Sequence, residues 1–384
     1  MLSEANFLGQ LSWVLESDSV CMALTHAGAH LAPVRYFRNR ANPVQPYHIS
    51  PWQGENHGLP GGTPDAIFRG DFFCLPFGKT EPELAMCNHG LTSAARWSFV
   101  RADSRNGLHS LEIEMKNALG AATVTRRFFL IDSENVIYDL TSVNGLSGEY
   151  TLGHHAVLRT PRREGALLVS TSPQVFGMTF PGPFADTANG ERQSLAYGAE
   201  FTDLISVPSI VSEGAPVNCS SFPARAGFGD LLQVAVAADP GKPAWTTAVN
   251  TEEGYLWFSL RDPVFLPSTI LWIEHYSRQS FPWNGRNCSL GLEDVCSYFD
   301  MGSAKSSARN EFSQRGIKTV QSFQSQKTFE LRYAQGVALI PDRFGRVRHM
   351  KCDDNTVSFI DEDELTVIIR VQTRFLFGGA LAKS

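Results

Sequence analysis

The stretch Leu111-Glu112-Ile113-Glu114-Met115-Lys116 alternates apolar and charged side chains without a break. Successive side chains of a β-strand leave on opposite faces, so this is the pattern of a strand with one face on a core and one in water. Phe329, Leu331 and Tyr333 repeat it against Glu330 and Arg332. Val367, Ile369, Val371, Thr373 and Phe375 do so against Arg370, Gln372 and Arg374. A count of 26 Phe, with frequent Val and Thr, agrees with strand preference. Turn residues separate the runs, as at Asn144-Gly145, Asn189-Gly190 and Asp239-Pro240-Gly241. Helical signal is confined to two places: Ser3 is positioned to cap a short helix through Leu15, and Ser303 to Gln314 read as another. Neither opens a βαβ series, so a parallel sheet is not expected. The pattern predicts an all-β fold, a large antiparallel β-sandwich with few short helices, as a single domain over residues 1–384. The Pro- and Gly-rich stretch from Pro43 to Pro64 reads as a long loop within it, because strand patterns continue on both sides; loops of that length often carry function.

Over 384 residues the chain is 43% hydrophobic and 19% charged, enough apolar material for a sizeable core and unlike a disordered segment. A formal charge of -6 gives no basic footprint for nucleic acid or an anionic membrane, so a neutral or weakly charged small ligand fits better. The seven cysteines (Cys21, Cys74, Cys87, Cys219, Cys288, Cys296, Cys352) are scattered and form no C-x-x-C pair, which reads as reduced apolar fillers rather than a zinc or redox motif. Asn218 and Asn287 open N-x-S matches that would matter only in a secreted chain. Met1 to Leu15 contains Glu4 and lacks a basic patch and an apolar core segment, so no secretory leader is read there. No apolar run approaches bilayer length. A cytoplasmic protein, with neither nucleic acid nor membrane as partner and its oligomeric state open, is the expectation.

Three stretches fit neither plain strand nor plain turn. One runs Arg69-Gly70-Asp71-Phe72-Phe73-Cys74-Leu75-Pro76-Phe77-Gly78, then Asn88-His89-Gly90 and Arg96-Trp97. Another is Leu152-Gly153-His154-His155-Ala156-Val157-Leu158. The third is Trp272-Ile273-Glu274-His275, Pro282-Trp283-Asn284-Gly285-Arg286-Asn287 and Leu290-Gly291-Leu292-Glu293-Asp294. A pyranose offers an apolar C–H face to an indole ring, while its hydroxyls need placed donors and acceptors. Trp97, Trp272 and Trp283 are candidate stacking surfaces, with Arg69, Arg96, Arg286 and Asn284 as hydroxyl partners; each Trp alone is as well explained as core. Glu293 sits in an apolar run from Leu290 to Val295, where an acid is costly unless paired or functional; Arg278 and Arg286 are the candidate salt-bridge partners. His154 and His155 point to opposite faces of a strand, so only one of them faces a cleft. His89 precedes a glycine in a turn, where an exposed histidine is unremarkable without its company. Glu274 and His275 read as rim. Arg69, Arg96, Arg278 and Arg286 raise the weaker idea that the ligand carries phosphate or carboxylate, with plain surface solvation as the alternative.

The order Arg69-Gly70, Pro76-Phe77-Gly78, His89-Gly90, Arg96-Trp97, then His155-Ala156-Val157-Leu158, then Leu290-Gly291-Leu292-Glu293, resembles the galactose mutarotase-like (aldose 1-epimerase) superfamily. Gly28-Ala29-His30-Leu31 resembles that family's early turn, and Phe329 to Tyr333 lies where its final strands begin, so the likeness runs from Gly28 to Phe377. It implies a β-supersandwich with a sugar on the concave face of one sheet. His89 then matches a ligand-binding histidine, His155 the group that exchanges a proton with the ring oxygen, and Glu293 the base for the anomeric hydroxyl. Ala156, Val157 and Leu158 stand where the family has Pro, Tyr and Phe, and Asp294 stands where it has Pro. For the family's substrate-binding Asp, Asp230 and Asp262 are the two candidates.

Interconverting anomers needs a base for the C1 hydroxyl proton and an acid for the ring oxygen, after which the ring opens, turns and recloses. A carboxylate and an imidazole suffice, without covalent nucleophile, metal or other cofactor. The leading expectation is therefore an isomerase of the aldose 1-epimerase kind acting on a free or substituted monosaccharide. A non-catalytic carbohydrate-binding protein on the same scaffold comes second. A metal-assisted sugar isomerase using His89, His155 and Glu293 comes last, because their separation gives no ligand-spacing signature.

Overall fold

The computed structural model of the chain describes residues 2–80 and 87–382, apart from the side chain of Ser212. Twenty-five described strands make five sheets in which every strand pair is antiparallel. A nine-stranded sheet runs, edge to edge, Ser221–Phe222, Leu167–Thr171, Ala244–Asn250, Tyr255–Arg261, Phe329–Leu339, Val136–Asn144, Thr123–Ile131, Leu108–Met115, Ser98–Arg105. A seven-stranded sheet runs Glu200–Phe201, Gln174–Thr179, Phe228–Val236, Ser268–His275, Cys288–Cys296, Leu152–Arg159, Phe73–Cys74. The two share a core that includes Leu111, Ile113, Trp257 and Tyr333 from the first and Ala156, Leu158, Leu271 and Leu292 from the second. The all-β sandwich expected from the alternation is the observed fold, with one short α-helix, Gly302–Ser307.

Both outer faces are also covered. A three-stranded sheet (Val347–Cys352, Thr356–Asp361, Thr366–Arg370) packs Val357 and Phe359 against Phe258 and Trp245 behind the nine-stranded sheet. Long loops bring Trp52, Phe68, Phe72, Phe77 and Trp283 onto the outer face of the seven-stranded sheet, over Val157, Ile270, Trp272 and Val295. Trp52 and Phe68 belong to, or directly follow, the Pro43–Pro64 segment. The site lies in this loop-covered layer.

Ser3 to Leu15 is not a helix. Ser3–Phe7 and Gln10–Glu16 form an antiparallel hairpin paired Phe7↔Gln10. Leu8 and Gly9 turn it with φ of 50° and 82°, the two left-handed residues that a tight hairpin turn requires. Asn6 accepts from the Gly9 amide at 3.0 Å. The apparent helix cap is simply the first strand residue. The second expected helix is shorter than read: α-helix ends at Ser307, Ala308 is extended, and only a 3₁₀ turn, Ser313–Arg315, follows. The last alternating run leaves its strand after Arg370; Thr373 and Phe375 are buried from a 3₁₀ turn instead. No described helix is long and apolar enough to cross a membrane.

Candidate functional site

Strand register builds the centre of the site. Leu152–Arg159 pairs with Cys288–Cys296 so that His155 stands opposite Glu293 and His154 opposite Asp294. Alternation then puts His155 and Glu293 on the outer, loop-covered face, and His154 and Asp294 between the two large sheets. His155 Nε2 lies 3.3 Å from Glu293 Oε1. Gly291 makes the room: a Cβ there would come 2.6 Å from Glu293 Oε1 and 3.0 Å from the Cβ of Trp272, its cross-strand partner. The His155 ring is stacked on Phe72 at 4.5 Å, and its amide donates to the Phe72 carbonyl.

His89 reaches the same point from a turn. Its φ is 65°, and the following Gly90 packs where a Cβ would meet the Leu75 carbonyl at 2.2 Å. The Gly78 amide donates to His89 Nδ1, which leaves Nε2 to carry the ring proton; the two imidazole centroids are 5.0 Å apart, edge to face. Trp272 and Trp283 form the apolar wall, with centroids 5.9 Å apart at 88°, and the Arg278 guanidinium lies over both rings. These side chains enclose a cavity of about 330 Å³, to which Asp65 and Asp300 add carboxyls. That is the size range of small-molecule pockets.

Burial dominates the electrostatics. It drives His155 well below the usual imidazole range, with His89 adding to the effect. It pushes Glu293 well above the usual carboxyl range, with Asp300 adding and Arg278 opposing. Burial also lowers His89, to about 4. Burial therefore disfavours charge on both members of the pair.

Of the residues singled out from sequence, the structure brings His89, His155, Glu293, Trp272, Trp283 and Arg278 to this cavity. The others lie elsewhere. Arg69 is fully buried and donates to the Phe7 and Leu8 carbonyls and to Gln53, closing the N-terminal hairpin onto the body. Arg96 is exposed against His26, and Trp97 is core, donating to the Thr92 carbonyl. Asn284 is exposed in its turn. Arg286 is a surface residue bonded twice to Glu55, at 2.6 and 2.8 Å. Neither Arg278 nor Arg286 pairs with Glu293; His155 is its neighbour. Glu274 accepts from the Ser277 and Arg278 amides. Asp230 is spent on Ser194 and Leu195, and Asp262 on the Val264 amide. His154 bonds Asp71 at 3.0 Å and stacks on Tyr333 between the sheets. Among the described residues no group of three or more His, Cys, Asp or Glu is arranged to hold a metal. Asp65 and Asp300 carry no sequence signal: the first follows Pro64 in a 3₁₀ turn, the second ends a tight turn after Phe299.

No family model and no curated protein matches the chain. Solved structures do. A galactose mutarotase-like protein from Clostridium acetobutylicum superposes with a TM-score of 0.57 at 11% identity, over 88% of this chain and 99% of that one. A galactose mutarotase related enzyme from Lactobacillus acidophilus gives 0.52 at 10% identity, over 86% and 98%. The chain thus shares its fold and topology with these two structures.

Proposed function

We propose that the chain binds a monosaccharide in the His155–Glu293 cavity and interconverts its anomers by general acid–base ring opening. The observation that carries this reading is the cross-strand pair: an imidazole and a carboxyl 3.3 Å apart, buried, and open to a cavity with two indoles in its wall. In a cyclic hemiacetal the hydroxyl oxygen and the ring oxygen share C1, so an acid and a base in one cavity can reach both. With one mobile proton, one member takes the C1 hydroxyl proton while the other gives its own to the ring oxygen. The C1–ring oxygen bond breaks and an open-chain aldehyde forms. After rotation about C1–C2 the transfers reverse, the bond re-forms on either face, and the pair returns to its starting state. The resemblance in sequence makes His155 the acid and Glu293 the base. The burial shifts favour the opposite resting tautomer, with the proton on Glu293, and the cycle balances from either. His89, uncharged, donates from Nε2 to a sugar oxygen. The roles of cavity, pair and walls agree with a superfamily fold whose solved members include proteins described as mutarotase-like.

NMR saturation transfer between anomers over a panel of aldoses tests the reading. Accelerated exchange that Glu293→Gln removes is expected; rates equal to buffer across the panel, or a Gln variant as fast as wild type, would overturn it. Binding without exchange is the outcome for a purely sugar-binding protein, in which the His155 contact does no more than neutralise a buried acid.

A further inference from the structure

We propose that the sugar taken by this cavity carries an ammonium group and that Asp300 is the acceptor that selects it, an inference that rests on reading the cavity as a sugar site. The ionisable side chains around it are mostly acids. Among its described lining residues three carboxyls, Asp65, Glu293 and Asp300, face one guanidinium, that of Arg278. Arg278 is already engaged, 3.8 Å from Glu274 and over the Trp272 and Trp283 rings. Lys79, an exposed residue, donates its backbone amide to the Asp300 carbonyl, and its ammonium partly offsets the burial of the Asp300 carboxyl.

Asp300 Oδ1 is buried and has no hydrogen-bond partner among the described residues. Glu293, 3% exposed, has His155 Nε2 as its neighbour at 3.3 Å. Trp272, which also lines the cavity, has its Nε1 buried and equally unpartnered among the described residues. An unmet acceptor and an unmet donor around one cavity describe a place for a ligand, not a solvated acidic patch. Burial raises Asp65, Glu293 and Asp300 alike, so an incoming cation relieves a cost that a phosphate or carboxylate would increase. Of the four arginines that raised the idea of an anionic ligand, Arg69, Arg96 and Arg286 lie away from the cavity. A charge-assisted hydrogen bond from an ammonium to Asp300 exceeds that of a hydroxyl by enough to give about tenfold tighter binding.

Calorimetric titration of the full chain at neutral pH tests this with glucosamine, galactosamine and mannosamine, their parent hexoses, their N-acetyl forms and the hexose 6-phosphates. At least one amino sugar is expected to bind about tenfold or more tighter than its parent. N-acetylation, which removes the charge, should abolish that preference, as should Asp300→Asn. Parent or phosphorylated sugars binding as tightly, or no amino sugar binding, overturns the proposal. Should the variant not fold, the N-acetyl comparison on wild type decides alone. Anomer exchange on the same sugars separates the two claims. Exchange without amino preference sinks only the ammonium assignment, whereas amino preference without exchange sinks only the catalytic one.

Discussion

Glu293 and Asp294 are consecutive carboxylates of one strand, both buried, and they live on opposite faces of the same sheet. Asp294 accepts from Thr246 at 3.0 Å, Thr269 at 2.8 Å, Ser259 at 2.5 Å and Tyr333 at 2.9 Å, with Arg261 Nη1 at 2.8 Å. Four strands of the two large sheets converge on it. Glu293 has an imidazole 3.3 Å away and a cavity. A buried acid surrounded by donors is part of the frame; one left short of them is kept for something the chain does not supply. The cross-strand histidines divide by face as well, His154 tied to Asp71 and stacked on Tyr333, His155 stacked on Phe72, although each keeps one ring nitrogen unpartnered among the described residues. The frame thereby fixes the spacing of the pair on its other face.

The contrast breaks most visibly in stability. Asp294→Ala leaves Arg261, fully buried, without its counter-charge, and is expected to cost about 3–5 kcal/mol in urea unfolding. Glu293→Gln, by comparison, removes an acid the fold does not need: the unfolding midpoint is expected to hold or rise, while anomer exchange falls by about 100-fold or more. Equal stability losses in the two variants would erase the distinction.

A smaller effect separates structural from functional acids by pH. Burial raises Glu274 to about 7 from 4.5, while Ser277 and Arg278 amides bond its Oε1. The folded chain therefore holds a proton there that the unfolded chain has released. The stability this group supplies is complete below 4.5 and is lost as pH rises through about 7. Glu274→Gln keeps the acceptor and cannot ionise. It should be more stable than wild type by about 2–3 kcal/mol near pH 8 and indistinguishable near pH 4 in thermal or urea unfolding. The smallest effect is expected at the surface: Arg286→Ala, losing a solvent-screened pair with Glu55, should shift neither the unfolding midpoint nor sugar affinity.

Period-two alternation made the sandwich legible, because burial of one strand face imposes it directly, as at Leu111, Ile113 and Met115. The N-terminal hairpin was not: a serine at a segment start fits a helix cap as well as a strand, and the turn at Leu8-Gly9 shows only once the strands pair. The two halves of the site differ in the same way. His155 and Glu293 stand in strands, so their faces follow from alternation, although only the register between the strands shows that they meet. The arginines were opaque, since sequence does not tell a guanidinium stitched to backbone carbonyls, as in Arg69, from one lying over indoles, as in Arg278. Asp65 and Asp300 reach the cavity from turns, where no periodicity points a side chain.

The pH dependence of anomer exchange tests the central claim, that His155 and Glu293 share one working proton, most directly. With His155 depressed and Glu293 raised, exchange should follow a bell-shaped pH profile. It should fall on the acid side only below the ordinary imidazole value of 6.5, as His155 takes a second proton, and on the alkaline side as Glu293 loses the shared one, above its ordinary 4.5. Glu293→Gln should be slow at every pH. A wild-type rate that follows buffer catalysis alone, or a bell that survives unchanged in the Gln variant, would contradict the account.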